Sequence, residues 1–522
     1  MHRRAGVDGA MKISVKINVK VTKQRLWELI THPEAYPSFI PDVKDVIILQ
    51  RDLSVSLVRW KVMLEEVELQ WVEQCHYDRE NAKVSFHAVH GDFSSYDGSM
   101  TLNYAGQGID LIFEASIDWD LPSFEKVIAD VVEQKVRRSF TAMLVAIKRY
   151  AEKNKPERLF SFVIHPLDLG LISVAFREPN IVSKRKDLVS KVFEWLPPFK
   201  CSDVVGLRTA DGLEVDGALI YCPLLPEQMV SNRREIALKR TIEAVRVAES
   251  LGVKIVGLGA YAAQIGKKGV LVAEAVQVPV TTGTSYTIGM AIHSVELACR
   301  AVETELSQMS VGIVGATGAV GSTCAELLAG RVGSLIINAR NETRLYELRD
   351  KVLERAPSLQ VRQTSQLDWL IANSDIIITA TSTPSTLIDA RSLRSGTIVC
   401  DVSRPRNVSP ESVEETHGTV LVFDGGVVKP PGEVDFGFYF GLPPGLAYAC
   451  IAETMILALA RRFEGYSIGG NVTTSKVEEI CRLGNSLGFH LAELRWCERK
   501  IPQETFERVG DHIRKKAIRS WV

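Results

Sequence analysis

Residues 310–344 read SVGIVGATGAVGSTCAELLAGRVGSLIINARNETR, and this stretch decides the fold of the second half of the chain. An apolar run at 310–314 leads into spaced glycines, a helix-compatible segment at 322–328 and a second apolar run at 335–337. Strand, glycine turn, helix and strand within about thirty residues is the order of a dinucleotide-binding βαβ unit. The glycines bring backbone N–H groups against a pyrophosphate. The predicted cofactor-binding residues are Gly315, Thr317, Gly318, Ala319, Val320 and Gly321.

Two arginines in this stretch favour one nicotinamide cofactor. Arg340 ends the second apolar run and Arg344 follows one helical turn later, where an NAD-specific site usually carries an acidic residue. A guanidinium suits a ribose 2′-phosphate, so we predict NADPH. The glycine pattern itself is a variant of G-x-G-x-x-G. The alternative is therefore a βαβ unit whose glycines serve only close packing.

Composition bounds the class of protein. The chain has 522 residues, enough for two to four domains, with 46% hydrophobic residues, 24% charged residues and a net charge of −1. Basic and acidic residues are interspersed, which argues against a nucleic-acid partner. Nine cysteines are scattered without metal-ligand spacing, so we expect reduced thiols and no metal site. The N-terminus has no apolar signal region, and the most apolar segment, 446–460, is too short to span a bilayer. The sequence predicts a soluble cytoplasmic protein with no transmembrane segment.

The first domain is predicted at 11–152. Residues 12–21 alternate apolar and polar side chains, as in a half-buried antiparallel strand. A short helix at 23–31, strand-like runs across 43–116 and a long helical pattern at 123–150 follow. This order predicts an α+β helix-grip domain, and the charged, proline-bearing segment 153–159 predicts a linker.

The region 160–305 is predicted to be an α/β substrate-binding region. A helix at 231–252, capped by Ser231 or Asn232, precedes a strand that runs into a glycine-rich turn at 253–261. Ligands in open α/β sheets bind at such turns. A hydroxyl-rich run at 280–287 precedes another helix. Packing and simple N-capping are the alternatives. The candidate substrate residues are Gly257, Gly259, Tyr261, Thr282, Gly283 and Tyr286.

A Rossmann-type doubly wound NADP(H)-binding domain is predicted at 306–440, with Thr381 and Ser382 ending an apolar strand that lines the cofactor pocket. In the C-terminal helical region, 441–522, Cys450 is predicted to fall near a helix N-terminus, where the dipole lowers a thiol pKa. Such a thiolate can form an acyl thioester that is open to hydride. The alternative is a packed core cysteine, since cysteine is often buried.

Specific motifs in the first domain carry a family resemblance. Val19-x-Val21, Trp27, the turn at 33–37 and the helix end at 140–150 resemble the START-like, polyketide-cyclase/coenzyme-Q-binding superfamily. The resemblance implies a hydrophobic lipid or polyketide ligand between sheet and helix. The alternative is a scaffolding domain with a filled core.

Residues of about 160–495 resemble the long-chain acyl-[acyl-carrier-protein] reductases. The motifs occur in the expected order at 231–234, 257–261, 281–287, 314–322, 338–341, 424–428, 449–453, 463–466 and 487–489. The resemblance implies Cys450 as the acyl-accepting nucleophile, NADPH as reductant, an acyl carrier protein or acyl-CoA as partner, and a fatty aldehyde as product. Lys267-Lys268 after the glycine turn, the 401–405 segment and the first domain depart from that family.

The leading hypothesis is therefore an NADPH-dependent acyl thioester reductase with a domain that binds a hydrophobic chain. Helix N-terminal N–H groups are expected to stabilise the oxyanion, and His165, Tyr261 and Tyr286 are candidate general acids. The alternative is a lipid or polyketide carrier whose Rossmann half is regulatory or reduces a ketone. A dehydrogenase related to glutamyl-tRNA or shikimate reductases suits fewer of the motifs.

Overall fold

The computed structural model describes residues 10–52, 54–64, 66–105, 108–119, 126–153, 156–230, 234–383, 385–470 and 472–519. The chain divides into two compact units, Met1–Pro156 and Glu157–Val522. Within the described segments, no helix combines the length and apolarity needed to cross a membrane. The predicted caps Ser231 and Asn232 lie outside the described residues.

The first unit is a seven-stranded antiparallel sheet with a long helix. The strand order is β1-β7-β6-β5-β4-β3-β2. The alternation of apolar side chains predicted this half-buried sheet, and Leu144 and Ile147 of the long helix are fully buried in its core. The rings of Phe113 and Phe140 stack at 4.4 Å and join sheet to helix. The elements are β1 (Met11–Val19), α1 (Lys23–Thr31), β2 (Val43–Arg51), β3 (Val55–Leu64), β4 (Val67–Asp78), β5 (Lys83–Gly91), β6 (Ser95–Tyr104), β7 (Ile109–Asp118) and α2 (Lys126–Lys153).

The second unit begins with a mixed sheet of order β12-β11-β8-β10-β9-β20. Its last strand, β20 (Gly432–Asp435), lies within the range predicted for the cofactor domain but pairs with β9. The earlier elements are β8 (Glu157–Ile164), α3 (Leu169–Phe176), α4 (Lys186–Trp195), β9 (Phe199–Arg208), β10 (Glu214–Tyr221), α5 (Pro226–Val230), α6 (Arg234–Ser250), β11 (Ile255–Leu258), α7 (Ile265–Lys268), α8 (Val270–Glu274), β12 (Val280–Thr281) and α9 (Thr284–Ala301).

A second sheet in this unit is entirely parallel, with order β15-β14-β13-β16-β17-β18. In chain order this is 3-2-1-4-5-6, the doubly wound order of dinucleotide-binding folds, and the order reverses between β13 and β16. The predicted Rossmann-type fold is confirmed. Its elements are β13 (Ser310–Val314), α10 (Ala319–Leu328), β14 (Ser334–Asn338), α11 (Glu342–Arg355), β15 (Gln360–Thr364), α12 (Leu367–Asn373), β16 (Ile376–Thr379), β17 (Ile398–Asp401), α13 (Pro410–Glu414) and β18 (Leu421–Asp424).

The remainder of the chain returns to both sheets. The apolar helix α14 packs against β11 and β8 of the mixed sheet and against α9. Ten of its eleven residues are buried, because nearly every side chain is apolar. The elements are β19 (Val427–Lys429), β20, β21 (Ala447–Tyr448), α14 (Ala449–Leu459), α15 (Thr474–Ser486), β22 (His490–Leu491), β23 (Arg495–Trp496), β24 (Arg499–Lys500) and α16 (Gln503–Arg519).

Candidate active site

A cavity of about 350 Å³ in the second unit collects most of the predicted site residues. It is lined by the turn after β13, the loops after β16 and β17, the segment after β11, and the first turns of α9 and α14. The carboxyl ends of parallel strands meet there, as expected for an α/β ligand site. The predicted residues that line it are Gly259, Tyr261, Thr282, Gly318, Ala319, Val320, Thr381, Ser382 and Cys450. The predicted residues absent from its lining are Gly257, Gly283, Tyr286, Gly315, Thr317, Gly321, Arg340 and Arg344.

The glycine turn forms a cradle that fits a dinucleotide. Gly315 has φ +81°, and a Cβ there would lie 2.6 Å from the Ala380 carbonyl oxygen. A Cβ on Gly321 would lie 2.5 Å from the Gly315 carbonyl oxygen. These two glycines therefore bring strand, turn and helix together without lining the cavity. Gly318 begins α10 without a side-chain cap, so the first N–H groups of the helix remain available to an anion.

The loop after β16 links the cofactor half to the mixed-sheet half. Thr381 donates through its hydroxyl to Asn407 Oδ1 at 2.7 Å, and its N–H donates to Ser403 Oγ at 3.0 Å. The Tyr261 hydroxyl, from the segment after β11, donates to the Ser382 carbonyl at 3.1 Å. The two halves are thus hydrogen-bonded across the cavity.

The two predicted 2′-phosphate residues flank the start of α11. Asn341 caps this helix by accepting from the Arg344 N–H at 3.0 Å. For Arg340 and Arg344, no ion pair with a carboxylate is found within the described ranges. Both side chains are exposed, so their guanidinium groups are accessible to an anionic ligand.

Cys450 lies in the first turn of α14. The N-cap residue of this helix is Tyr448, whose side chain makes no capping hydrogen bond. The thiol is partly buried and lines the cavity. Gly283, the N-cap of α9, has φ +71° and lies directly against Cys450, where an added Cβ would be 2.5 Å from the Cys450 carbonyl oxygen. Only glycine fits there, and its absence of a side chain lets two helix N-termini converge on the thiol.

The pKa of Cys450 is raised, contrary to the prediction. Burial raises it to about 12, although the Ile451 N–H and the charge of Arg404 lower it. The prediction was wrong because desolvation of a thiolate in a largely apolar cavity outweighs the partial positive charge of a helix end. In the free protein Cys450 is a thiol at neutral pH.

Glu453, one turn after Cys450, holds this arrangement together. Its carboxylate is fully buried and accepts hydrogen bonds from Thr281 Oγ1 at 2.7 Å, the Tyr286 N–H at 2.9 Å and Ser467 Oγ at 3.0 Å. Burial raises its pKa, and these hydrogen bonds oppose the rise. The network ties the β12–α9 loop to α14, which keeps Gly283 against Cys450.

Arg404 is a cavity residue that the sequence analysis treated only as a departure from the family pattern. Its side chain is 12% exposed and pairs through Nη2 with the fully buried Asp424 at 2.9 Å. The guanidinium lies 5.0 Å from the centre of the Tyr448 ring. Burial raises the pKa of Asp424, but Arg404 and Arg406 outweigh it, so the carboxylate stays ionised. The available signal was position, since Arg404 closely follows the carboxyl end of β17.

The candidate general acids have other roles. His165 Nε2 accepts the Tyr261 N–H at 3.0 Å, so Nδ1 carries the proton and donates to the Pro166 carbonyl at 2.9 Å. Burial lowers the His165 pKa to about 4, which leaves a neutral ring with both nitrogens occupied. Tyr286 is fully buried, with its hydroxyl next to Gly484 of α15 rather than in the cavity. Gly257 packs against Phe162 and Thr454. Tyr286 and Gly257 therefore pack beside the site without lining the cavity, whereas His165 and Tyr261 line it.

The first unit has a separate cavity of about 90 Å³, lined mainly by aromatic and aliphatic side chains. A buried carboxyl, Glu73, lies in its wall and accepts the indole N–H groups of Trp60 and Trp71, each at 2.8 Å. Burial raises the Glu73 pKa to about 7, although these hydrogen bonds lower it. The buried Tyr36 hydroxyl, also in the wall, has no hydrogen-bond partner within the described structure. Tyr36 belongs to the turn at 33–37 that carries the START-like resemblance, whereas no sequence pattern indicated Glu73.

Comparison with known families supports the two-part architecture. The profile of Polyketide cyclase / dehydrase and lipid transport matches residues 19–145, and that of Shikimate / quinate 5-dehydrogenase matches residues 296–424. The predicted START-like and Rossmann-type domains are therefore confirmed. Two solved structures each align with little more than a quarter of this chain. The protein TTHA0849 from Thermus thermophilus has 17% identity over 27% of this chain and 96% of its own, with a TM-score of 0.26. A START superfamily protein from Mycobacterium smegmatis has 18% identity over 28% and 99%, with a TM-score of 0.25.

Two curated relatives resemble a larger part of the chain. The long-chain acyl-[acyl-carrier-protein] reductase of Synechococcus elongatus is 28% identical over 308 residues, 56% of this chain and 87% of its own length. The aminotransferase PigE of Serratia sp. is 28% identical over 344 residues, 63% of this chain but only 39% of its own length. The predicted resemblance to the acyl-carrier-protein reductases is thus confirmed. Together with the shikimate dehydrogenase-like domain, it supports a reductase that binds a nicotinamide cofactor.

Proposed function

We propose that the second unit is an NADPH-dependent reductase that converts an acyl thioester to an aldehyde through an acyl group bound to Cys450. The observation that carries the proposal is that one cavity holds both Cys450 and the uncapped start of α10 in the cofactor turn. The Synechococcus relative, named for reducing acyl-carrier-protein thioesters, supports the substrate class. We propose an acyl carrier protein or acyl-CoA as the donor.

Cys450 is the proposed nucleophile. Its Sγ bonds to the acyl carbon while the bond from that carbon to the carrier sulfur breaks. Because burial disfavours a free thiolate, the proton leaves Cys450 as the new bond forms and passes to the departing carrier thiolate. The nicotinamide, when bound, supplies hydride to the acyl carbon. The carbon–Sγ bond then breaks, the aldehyde leaves, and Cys450 regains a proton.

The negative charge that develops on the acyl oxygen requires donors close to Cys450. The backbone N–H groups at the start of α14 lie against the Cys450 thiol and supply fixed dipoles without reorganisation. The Ser285 and Tyr286 N–H groups of α9 are already bonded to Ser467 and Glu453. Arg404 adds a buried positive charge in the same cavity. We propose that these groups stabilise the oxyanion, in place of a dedicated general acid.

Arg340 and Arg344 support NADPH as the reductant. Both follow β14, the strand next to the glycine turn, where the adenosine ribose of a dinucleotide binds in this fold. A bidentate guanidinium matches a 2′-phosphate better than a lysine or a hydroxyl does.

We propose that the first unit binds a hydrophobic ligand in its aromatic cavity. The matching family profile includes lipid transport in its description, which supports this assignment. At about 90 Å³ the cavity is well below the several hundred Å³ typical of ligand pockets. A long acyl chain therefore requires the sheet and α2 to separate, whereas a compact group fits with less movement.

Intact-mass spectrometry tests the proposal. We expect the wild-type chain, incubated with acyl-ACP or acyl-CoA and no NADPH, to gain one acyl mass that peptide mapping places on Cys450. Cys450→Ala should gain none and should lose aldehyde formation by roughly a thousandfold or more, since the nucleophile is removed. Cys481→Ala is the matched control, because Cys481 is also partly buried in the same core.

Product analysis by gas chromatography after addition of NADPH completes the experiment. An adduct on another residue, or turnover that survives Cys450→Ala, would contradict the mechanism. Oxidation of NADPH with a ketone but with no thioester would favour the ketone-reducing alternative.

A further inference from the structure

A left-handed turn in the second unit holds two lysines in an unusual conformation. Gly266 and Lys267 have φ/ψ of 60°/53° and 56°/49°, and Lys268 and Gly269 have φ of +59° and +84°. Residues with a side chain adopt this region rarely, and successive ones still more rarely. Such backbone strain persists where surrounding structure enforces it and is concentrated at functional sites.

Hydrogen bonds fix this turn at both sides. The Gly269 N–H donates to the Ile265 carbonyl at 2.8 Å, and the Lys268 carbonyl accepts from the Gly469 N–H at 3.0 Å. The turn is thereby joined to the glycine pair 469–470, which follows α14. Its backbone conformation is a built feature of the fold and not a loose surface loop.

The turn directs its two lysines differently. Lys267 is exposed, whereas Lys268 is partly buried and lines the 350 Å³ cavity. The Lys268 side chain lies across Gly470, where an added Cβ would be 2.5 Å from Nζ. The same cavity is lined by Gly318, Ala319 and Val320 at the start of α10. One ammonium group of the mixed-sheet half thus shares a cavity with the phosphate-binding turn of the cofactor half.

The charges around Lys268 are unbalanced. Burial lowers the pKa of Lys268, and the positive charge of Arg344 lowers it further. In the chain segments that the structure describes, neither cation has an ion pair with a carboxylate. Two neighbouring cations without an acidic partner repel each other, and a bound phosphate would remove that cost.

We infer that Lys268 contacts a phosphate of the dinucleotide, reaching across the cavity from the mixed-sheet half. This inference rests on the proposed function, because it presupposes that the glycine turn binds NADPH. Its consequence is that the cofactor connects the two sheets. The dinucleotide bound on α10 is then held from the far side by the 266–269 turn, which belongs to the same half as the start of α14 with Cys450.

The test compares two variants of the full chain, Lys268→Gln and Lys267→Gln, by calorimetric titration. Both remove one charge from the same left-handed turn, but only Lys268 lines the cavity. We expect Lys268→Gln to weaken NADPH binding roughly tenfold or more, as loss of a charge-assisted hydrogen bond does, and Lys267→Gln to change it less than about twofold. Lys268→Arg should retain most of the affinity.

Titration with ADP and with adenosine 2′,5′-bisphosphate identifies the phosphate. Equal weakening for both ligands assigns Lys268 to the 5′-phosphate that they share. Weakening confined to ADP assigns it to the second phosphate of the pyrophosphate, and weakening confined to the bisphosphate assigns it to the 2′-phosphate. Equal affinities of Lys268→Gln and Lys267→Gln for NADPH would overturn the inference. If the two variants have equal affinities but the wild-type chain still reduces thioesters with NADPH, only the role of Lys268 is contradicted, and the proposed function is not. A wild-type chain that binds no NADPH would instead contradict the proposed function itself.

Discussion

Two cavities, one in each unit, contain a buried titratable group whose pKa is raised by burial. Glu73 in the first unit has its pKa raised to about 7, and Cys450 in the second has its pKa raised to about 12. Their surroundings differ. Two indole N–H groups already satisfy Glu73 in a cavity of about 90 Å³, whereas Cys450 faces about 350 Å³ beside two helix N-termini and Arg404.

The comparison shows that a perturbed pKa alone does not identify a reactive group. Desolvation acts alike on a structural carboxyl and a candidate nucleophile. What distinguishes Cys450 is the open volume next to it and the backbone N–H groups that lie against its thiol at the start of α14. In Glu73, by contrast, each carboxylate oxygen already accepts a hydrogen bond from an indole N–H group.

The largest effect is expected from Gly283→Ala, which tests whether the convergence of α9 and α14 distinguishes the second cavity. The added Cβ overlaps the Cys450 backbone, so the loop or helix must shift. We expect acylation of Cys450 to slow at least about a hundredfold, since small displacements of reacting groups have effects of that size. The rate of adduct formation by mass spectrometry measures it.

The matched control is Gly445→Ala. Gly445 also has a positive φ of +77°, but an added Cβ would have no neighbour within 4 Å. Both variants carry similar backbone strain, and only Gly283→Ala carries the overlap. Equal acylation rates in the two variants would show that the close approach of the helices is not required.

An intermediate effect is expected from pH in the first cavity. The pKa of Glu73 rises from 4.5 to about 7 on folding, so the folded unit binds the proton more tightly than the unfolded one. The contribution of Glu73 to the stability of this unit should therefore be fully present below about pH 4.5 and fall by about 3 kcal/mol as the pH rises to about 7. Glu73→Gln should remove this dependence.

Hydrogen exchange in strands β3 and β4, corrected for intrinsic rates at pH 5 and pH 8, measures the change in stability. Glu68→Gln is the control, because Glu68 lies in the same strand but is exposed at its surface. Wild-type protection that is equal at the two pH values would show that Glu73 is already ionised in the folded unit. Glu73 would then not share with Cys450 a pKa that burial raises.

The smallest effect is expected from Tyr261→Phe, which removes the hydroxyl that donates to the Ser382 carbonyl across the second cavity. A single neutral hydrogen bond contributes about 1 kcal/mol, so we expect NADPH affinity to fall about fivefold with acylation of Cys450 unchanged. Fluorescence titration of NADPH and the adduct rate measure the two effects. A loss of acylation equal to the loss of binding would show that Tyr261 organises Cys450 as well.

Local pattern predicted much of this protein. The βαβ unit at 310–344, the alternating first strand and the helices around 23–31 and 234–250 follow from periodicity, glycine spacing and caps, which act within a few turns of chain. Alternation also predicted the buried face of the first strand, and the apolar character of α14 predicted its burial. For this reason the two fold classes and the cofactor turn were predictable. The face predicted for the 234–250 helix was wrong in part, because Ile236 is exposed and Thr241 is buried.

Side-chain roles at long range were not predictable. Tyr286 and His165 lie in segments that contribute to the cavity, but neighbours distant in sequence determine the orientation of their rings. The Tyr286 ring packs against α15, and the His165 ring bonds to the backbone of the 260–261 segment. The placement of Glu453 between two helices and the approach of β20 to β9 depend on the same distant contacts.

The sequence by itself determined that a glycine turn, two arginines and a cysteine at a helix start are present in this order, because these features are local. Only the tertiary structure decided that Cys450 and the glycine turn share a cavity, that Gly283 packs against Cys450, and that Lys268 lines the same cavity. It also decided the protonation of Cys450. Desolvation depends on how much of the folded protein surrounds a group, which no neighbouring residues in the sequence reveal.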